Sequence, residues 1–260
     1  MSYEIEPDPF EVPSLPGGVI VAADEEDAQE RIGRDLMVAA KQAVRERGVF
    51  HLALSGGGTP MPFYRRLMID PLFREMPWSR THLWIVDERR APFDSDQNNY
   101  KHIHEILVEH SDLPGPNAHP IPVDSPSAAE DYENELREVL AIGGVPDDPD
   151  RGRLDFILLG MGSDGHTASL FPHTAALDEE VRWVVDNDGP SVVPPPRITM
   201  TYPLINAARV VAFYVLGAGK AEMIRRVASV SEGFETLPCK GIRPASGELG
   251  WYLDHAACGG

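Results

Sequence analysis

Residues 154–172 read LDFILLGMGSDGHTASLFP: an apolar run from Leu154 to Leu159 enters a turn in which Gly160, Gly162 and Gly165 surround Asp164 and His166. A run this short, apolar at every position except Asp155, fits a strand buried on both faces better than an amphipathic helix. Such strands belong to parallel sheets, whose crossover connections lay helices over both sides. The turn then falls beyond the carboxyl end of a strand, where sheets of this kind hold their ligands.

Working outward, the same alternation recurs. Asp24 opens a helix to about Arg47, with Glu25, Glu26 and Asp27 at its positive end and Ala28, Ile32, Leu36, Ala40 and Val44 on one stripe; Gly48 ends it. A strand from Val49 to Leu54, a Gly-rich turn, a helix from Pro60 and a strand from His82 to Val86 follow. Helices near Asn98–Glu109 and Ala128–Leu140, strands at Val181–Val185 and Arg209–Leu216, and a helix from about Lys220 continue the series. The pattern predicts an α/β fold, one doubly wound, mostly parallel sheet with helices on both faces, in a single domain over residues 1–260. Residues 1–18 read as an irregular N-terminal extension, and residues 143–153 and 189–196, rich in Gly, Pro and Asp, as surface loops. No internal repeat is evident.

At 260 residues and 42% hydrophobic content the chain can bury a sizeable core. With 23 basic and 41 acidic residues the net charge is -18, which repels nucleic acid and anionic lipid, so a phosphate-bearing ligand needs a local cluster of donors. No apolar run approaches the roughly 18 residues that cross a bilayer. The opening MSYEIEPDPFEVPSLPGG has neither the basic flank nor the apolar core of a secretory signal. The expectation is a cytoplasmic protein without nucleic-acid or membrane partners. Cys239 and Cys258 form neither a CxxC pair nor a zinc spacing and read as bystanders.

Four strand ends carry candidate chemistry. Ser55-Gly56-Gly57-Gly58-Thr59-Pro60 combines a flexible turn with an N-cap residue and a Pro at the first helical position, which suits an anion facing a helix N-terminus; a tight structural turn accounts for it equally well. Asp87-Glu88-Arg89-Arg90 could bring carboxylate and guanidinium to the same crevice, although such runs are more often solvated strand ends. In the Asp164-Gly165-His166 turn, a carboxylate stands two residues from an imidazole equipped for general-base work near neutral pH. Arg197 and Lys220 could add positive charge, though each alone reads as an ordinary surface cation.

Taken together, SGGGTP at 55–60, VDERRAP at 86–92 with Asn99-Tyr100 after it, GMGSDGHTASLFP at 160–172, RITMTYPLIN at 197–206, GAGKAEM at 217–223 and RPASGELGWYLDHAA at 243–257 closely resemble the 6-phosphogluconolactonase family, in order, over roughly residues 20 to 257. The resemblance implies a Rossmann-like fold shared with glucosamine-6-phosphate deaminases and ribose-5-phosphate isomerases. It implies hydrolysis of 6-phospho-D-glucono-1,5-lactone to 6-phosphogluconate, without metal or organic cofactor; a monomer or weak homodimer is the expectation for assembly. It places phosphate contacts on Ser55, Gly56, Gly57, Gly58, Thr59, Arg197 and Lys220. His166 takes the catalytic role, with Asp164 and Arg89 in the site; Asp87 and Glu88 remain further candidates. The family commonly has a His and a Ser in the stretch after DER, where this chain has Ser95 and Asn98, a departure from the pattern.

Two rivals are weighed against this. The related deaminases carry a carboxylate five residues after the His, and here that position is Phe171, which disfavours moving a carbon-bound proton. A sugar-phosphate sensor would need a DNA-binding module, for which the roughly 20 residues before the fold are too few.

Overall fold

The computed structural model describes residues 12–142, 152–189, 192 and 195–260. Seven strands form one sheet in the order β1-β10-β9-β6-β2-β3-β5, and every neighbouring pair is parallel. They are β1 (Gly18–Ala22), β2 (Phe50–Leu54), β3 (Thr81–Ile85), β5 (Ala118–His119), β6 (Phe156–Leu159), β9 (Val210–Val215) and β10 (Glu248–Asp254). Every residue of β2 and β6 is buried, as the continuous apolar runs require for strands covered on both faces.

The helices are α1 (Glu25–Arg47), α2 (Pro60–Ile69), α3 (Asn99–Ile106), α4 (Ala128–Ile142), α5 (Tyr202–Ile205) and α6 (Ala221–Ala228). The Asp24 side chain accepts from the Asp27 N–H to cap α1, and Gly48, in the left-handed region, closes it through Val44. From β2 the chain steps to β3 on one side, and from β6 to β9 on the other. The loops after β2 and β6 therefore part company, the arrangement that opens a crevice at the carboxyl ends of these strands. By the right-handed rule for crossovers between parallel strands, this order puts α1, α2 and α3 over one face and α4 and α6 over the other.

Several elements depart from the sequence expectation. β1 and β10 pair along one edge in full register, from Gly18 opposite Gly250 to Ala22 opposite Asp254, and neither is anticipated as a strand. A second, antiparallel sheet is built from β4 (Asp87–Arg89), β7 (Val184–Asn187) and β8 (Arg197–Met200) in the order β4-β8-β7. Asp87 to Arg89 is thus a strand and no solvated tail. The expected strand Val181–Val185 begins at Val184, because the Val181 and Arg182 N–H groups turn back to Glu179 Oε1 instead of pairing with a neighbour. Residues 12–17 form no helix or strand, while the rest of the expected N-terminal extension through residue 11 lies outside the described residues, as does much of both expected surface loops. Among the described residues no helix is long and apolar enough to cross a membrane.

Candidate active site

The ends of β2, β3, β6 and β9 border a cleft of about 190 Å³. Ser55, Gly56, Gly57, Gly58, Thr59, Asp87, Arg89, His166, Arg197 and Lys220 all line it, so ten of the twelve candidate residues converge. Asp164 stands immediately behind, against His166, and Glu88 lies elsewhere.

The turn after β2 leads into α2. Gly57 has a φ of 97°, the left-handed region that suits glycine. The N–H groups of residues 56–59 meet no acceptor among the described hydrogen bonds, whereas the Ser55 N–H donates to Leu158 O at 3.2 Å. Pro60, at the first helical position, also borders the cleft, so the positive end of α2 faces it. Thr59 was expected to cap this helix, but its own φ and ψ are helical and its side chain makes no capping bond. The Ser55 hydroxyl is buried without a hydrogen-bond partner.

The turn after β6 brings Asp164 and His166 together. Asp164 Oδ1 contacts His166 Nδ1 at 2.5 Å and also accepts from the His166 N–H at 3.2 Å. Burial works against the Asp164 carboxylate, yet the histidine contact outweighs it and holds the group below its usual range. Gly162 is required here by close approach: a Cβ at that position would sit 2.2 Å from His166 Cε1 and Nδ1. Its N–H donates to the His166 carbonyl at 2.8 Å, which removes it from the backbone donors available to an oxyanion. Phe171 packs on the imidazole with ring centroids 4.4 Å apart.

Three cations complete the cleft. Arg89 and Arg197 are cross-strand partners in the small sheet. Arg89 Nη1 donates to Gln97 O at 2.9 Å, while its Nε is buried without a partner. The Arg197 guanidinium lies 5.7 Å from the centre of the Phe171 ring, and burial, then the neighbouring Arg89, lower its pKa. Lys220 Nζ donates to Met161 O at 2.5 Å; burial lowers its pKa, with Asp164 opposing the shift. Local positive charge of this kind is what a chain of net charge -18 needs to admit an anion.

Glu88 is the candidate that the structure removes from the cleft. Its side chain is fully buried and accepts from the N–H groups of Arg89, Asn99 and Tyr100, binding the start of α3 to β4. Burial pushes it up to about 7 despite those three donors. Asn98 caps α3 by accepting from the Lys101 N–H, and Ser95 Oγ accepts from the Gln97 N–H; neither lines the cleft.

Sequence reasoning missed Asn99 as a lining residue. Its Nδ2 donates to Asp87 O at 2.8 Å, and its amide abuts Gly56, where a Cβ would meet Asn99 Oδ1 at 2.0 Å. The only signal was its place just after the VDERRAP segment.

The family model described as "Glucosamine-6-phosphate isomerases/6-phosphogluconolactonase" matches residues 23–251. A Synechocystis protein named 6-phosphogluconolactonase is 39% identical over 223 residues, covering 83% of this chain and 86% of its own length. The human GDH/6PGL endoplasmic bifunctional protein is 36% identical over 247 residues, 92% of this chain, but the match spans only 30% of that longer protein. Among solved structures, a 6-phosphogluconolactonase from Thermotoga maritima superposes with a TM-score of 0.74 at 26% identity, covering 91% of this chain and 99% of its own. By these matches the chain belongs to the glucosamine-6-phosphate isomerase/6-phosphogluconolactonase family.

Proposed function

We propose that this chain, acting as one domain, hydrolyses 6-phospho-D-glucono-1,5-lactone to 6-phosphogluconate, the second step of the oxidative pentose phosphate pathway, in the cytoplasm. One observation carries the reading: a carboxylate-backed imidazole faces the same cleft as three cations and the N-terminus of α2.

The substrate phosphate sits against the free N–H groups of residues 56–59, the hydroxyls of Ser55 and Thr59, and the cations Arg197 and Lys220. With Asp164 taking the Nδ1 side of the ring, Nε2 of His166 is left to accept a proton from water. The water oxygen bonds to C1, the carbonyl becomes an oxyanion, and the proton passes to Nε2. Collapse then breaks the C1–O5 bond, and the imidazolium returns its proton to O5. Arg89, which lines the cleft, is the side chain that stabilises the oxyanion in this reading. No redox or metal step is needed to balance this sequence. Phe171 lies on the face of His166, where the rival deaminase chemistry would want a carboxylate.

The test is consumption of freshly generated 6-phosphogluconolactone above its spontaneous rate, with and without a chelator. Glucosamine 6-phosphate should release no ammonia. Activity confined to the amino sugar would transfer the site to the rival chemistry.

A further inference from the structure

Ser169, three residues beyond His166, hydrogen-bonds to every strand of the small antiparallel sheet. Its hydroxyl donates to Asp87 Oδ2 on β4 at 2.6 Å. Its N–H donates to Thr199 Oγ1 on β8 at 3.1 Å. Its carbonyl accepts from Asn187 Nδ2 on β7 at 2.8 Å. All four residues are buried.

The chain between His166 and Ser169 is equally constrained. Thr167 Oγ1 donates to Gly160 O at 2.8 Å, and the Leu170 N–H closes a turn onto Thr167 O at 2.9 Å. Ala168 has a φ of 50°, a left-handed conformation that a residue with a side chain keeps only when its surroundings impose it. The small sheet's own ladder does not need Asp87, Thr199 or Asn187 side chains for its backbone pairing, yet each is committed to Ser169. No buried side-chain atom of this network is left without a partner, and a buried polar network in that state is rigid.

The same sheet carries Arg89 and Arg197, two residue pairs along from Asp87 and Thr199 and so on the same face. Ser169 therefore ties the frame of the imidazole to the frame of the guanidinium pair. We propose that Ser169 is a positioning residue: through Asp87, Thr199 and Asn187 it sets the reach of His166 relative to the cations that anchor the substrate. This rests on the hydrolytic reading above. Misplacement of a reacting group by about 1 Å can cost on the order of 100-fold in rate without weakening the anchor.

Ser169→Ala and Thr199→Val break the network from its two sides, so a folding failure in one leaves the other to decide. Each should lower kcat on 6-phosphogluconolactone about 10-fold or more while changing KM and the Kd for 6-phosphogluconate less than 2-fold. By NMR, the His166 ring resonances, assigned by their loss in His166→Ala, should shift or broaden in both variants, with those of His104 and His110 unmoved. Wild-type kcat together with unmoved His166 resonances in a folded variant would overturn the proposal, as would a parallel loss of product affinity. If the wild-type protein fails to accelerate lactone hydrolysis, the hydrolytic reading fails by itself, and the resonances still decide whether Ser169 positions His166.

Discussion

Arg89 and Arg197 stand directly opposite each other across β4 and β8, so two guanidiniums share one face of the small sheet. Like charges in that relation destabilise a sheet unless something of opposite sign lies between or beside them. Asp87, on the same face, supplies part of the compensation, and it raises the Arg197 pKa against the effect of Arg89.

An anionic ligand should supply the rest. Saturation with 6-phosphogluconate at about 100 times its Kd should stabilise the fold by about 2.7 kcal/mol. Arg197→Met should weaken that ligand by about 1.5–3 kcal/mol, and at the same ligand concentration the thermal shift should shrink accordingly. Calorimetry and thermal melts of the two proteins check this; an undiminished shift in the variant would move the phosphate away from β8.

Gly162→Ala tests the turn itself. The added Cβ has to displace either the His166 ring or the Asp164 carboxylate, whose Oδ1 would be 2.7 Å away. Turnover should fall about 100-fold or more with product affinity preserved, because the proposed phosphate contacts lie on other segments of the chain. Initial rates and product calorimetry on the purified variant read the two quantities separately.

The strand ends were legible in the sequence because their signals are local. Asp24 and Gly48 bracket α1 within one segment, and the glycines flanking Asp164 and His166 sit next to the strand that aims them. Long-range pairing left no such trace. Glu88 reads as one charge in a run of four, and only the arrival of α3 reveals it as a buried acceptor of three N–H groups. The register that sets Arg89 against Arg197 likewise depends on a strand far along the chain, and the Ser169 network depends on all three strands of a sheet that the pattern did not announce. β1 and β10 escaped because their strand character comes from distant partners, β1 pairing with β10 and β10 in turn with β9.

A histidine ladder away from the cleft makes a separate prediction about stability. His51 and His82 are cross-strand partners on β2 and β3; His82 Nδ1 lies 3.0 Å from His119 Nε2, and His119 Nδ1 lies 2.6 Å from Glu135 Oε1 on α4. Trp84 Nε1 also donates to His51 Nδ1 at 3.3 Å. Burial first, then His82, His119 and Arg47, push His51 down to about 3. A histidine depressed in the fold contributes stability that is complete above its unfolded pKa of about 6.5 and is lost as the pH falls. Glu88, raised to about 7, has the opposite slope between about 4.5 and 7, so the difference between wild type and His51→Gln is the informative quantity. That difference should change by about 1.4 kcal/mol per pH unit between roughly pH 6 and 4, wild type losing more. Denaturant melts at stepped pH measure it, and parallel curves would show that His51 takes up its proton alike in the folded and unfolded states.

In the proposed hydrolysis His166, backed by Asp164, is the base that activates water. The most direct measurement is kcat for freshly generated 6-phosphogluconolactone with His166→Ala, with spontaneous hydrolysis subtracted and 6-phosphogluconate affinity measured beside it. The expected result is a fall in kcat of about 100-fold or more with the affinity nearly unchanged. A folded His166→Ala protein that keeps wild-type kcat would contradict it.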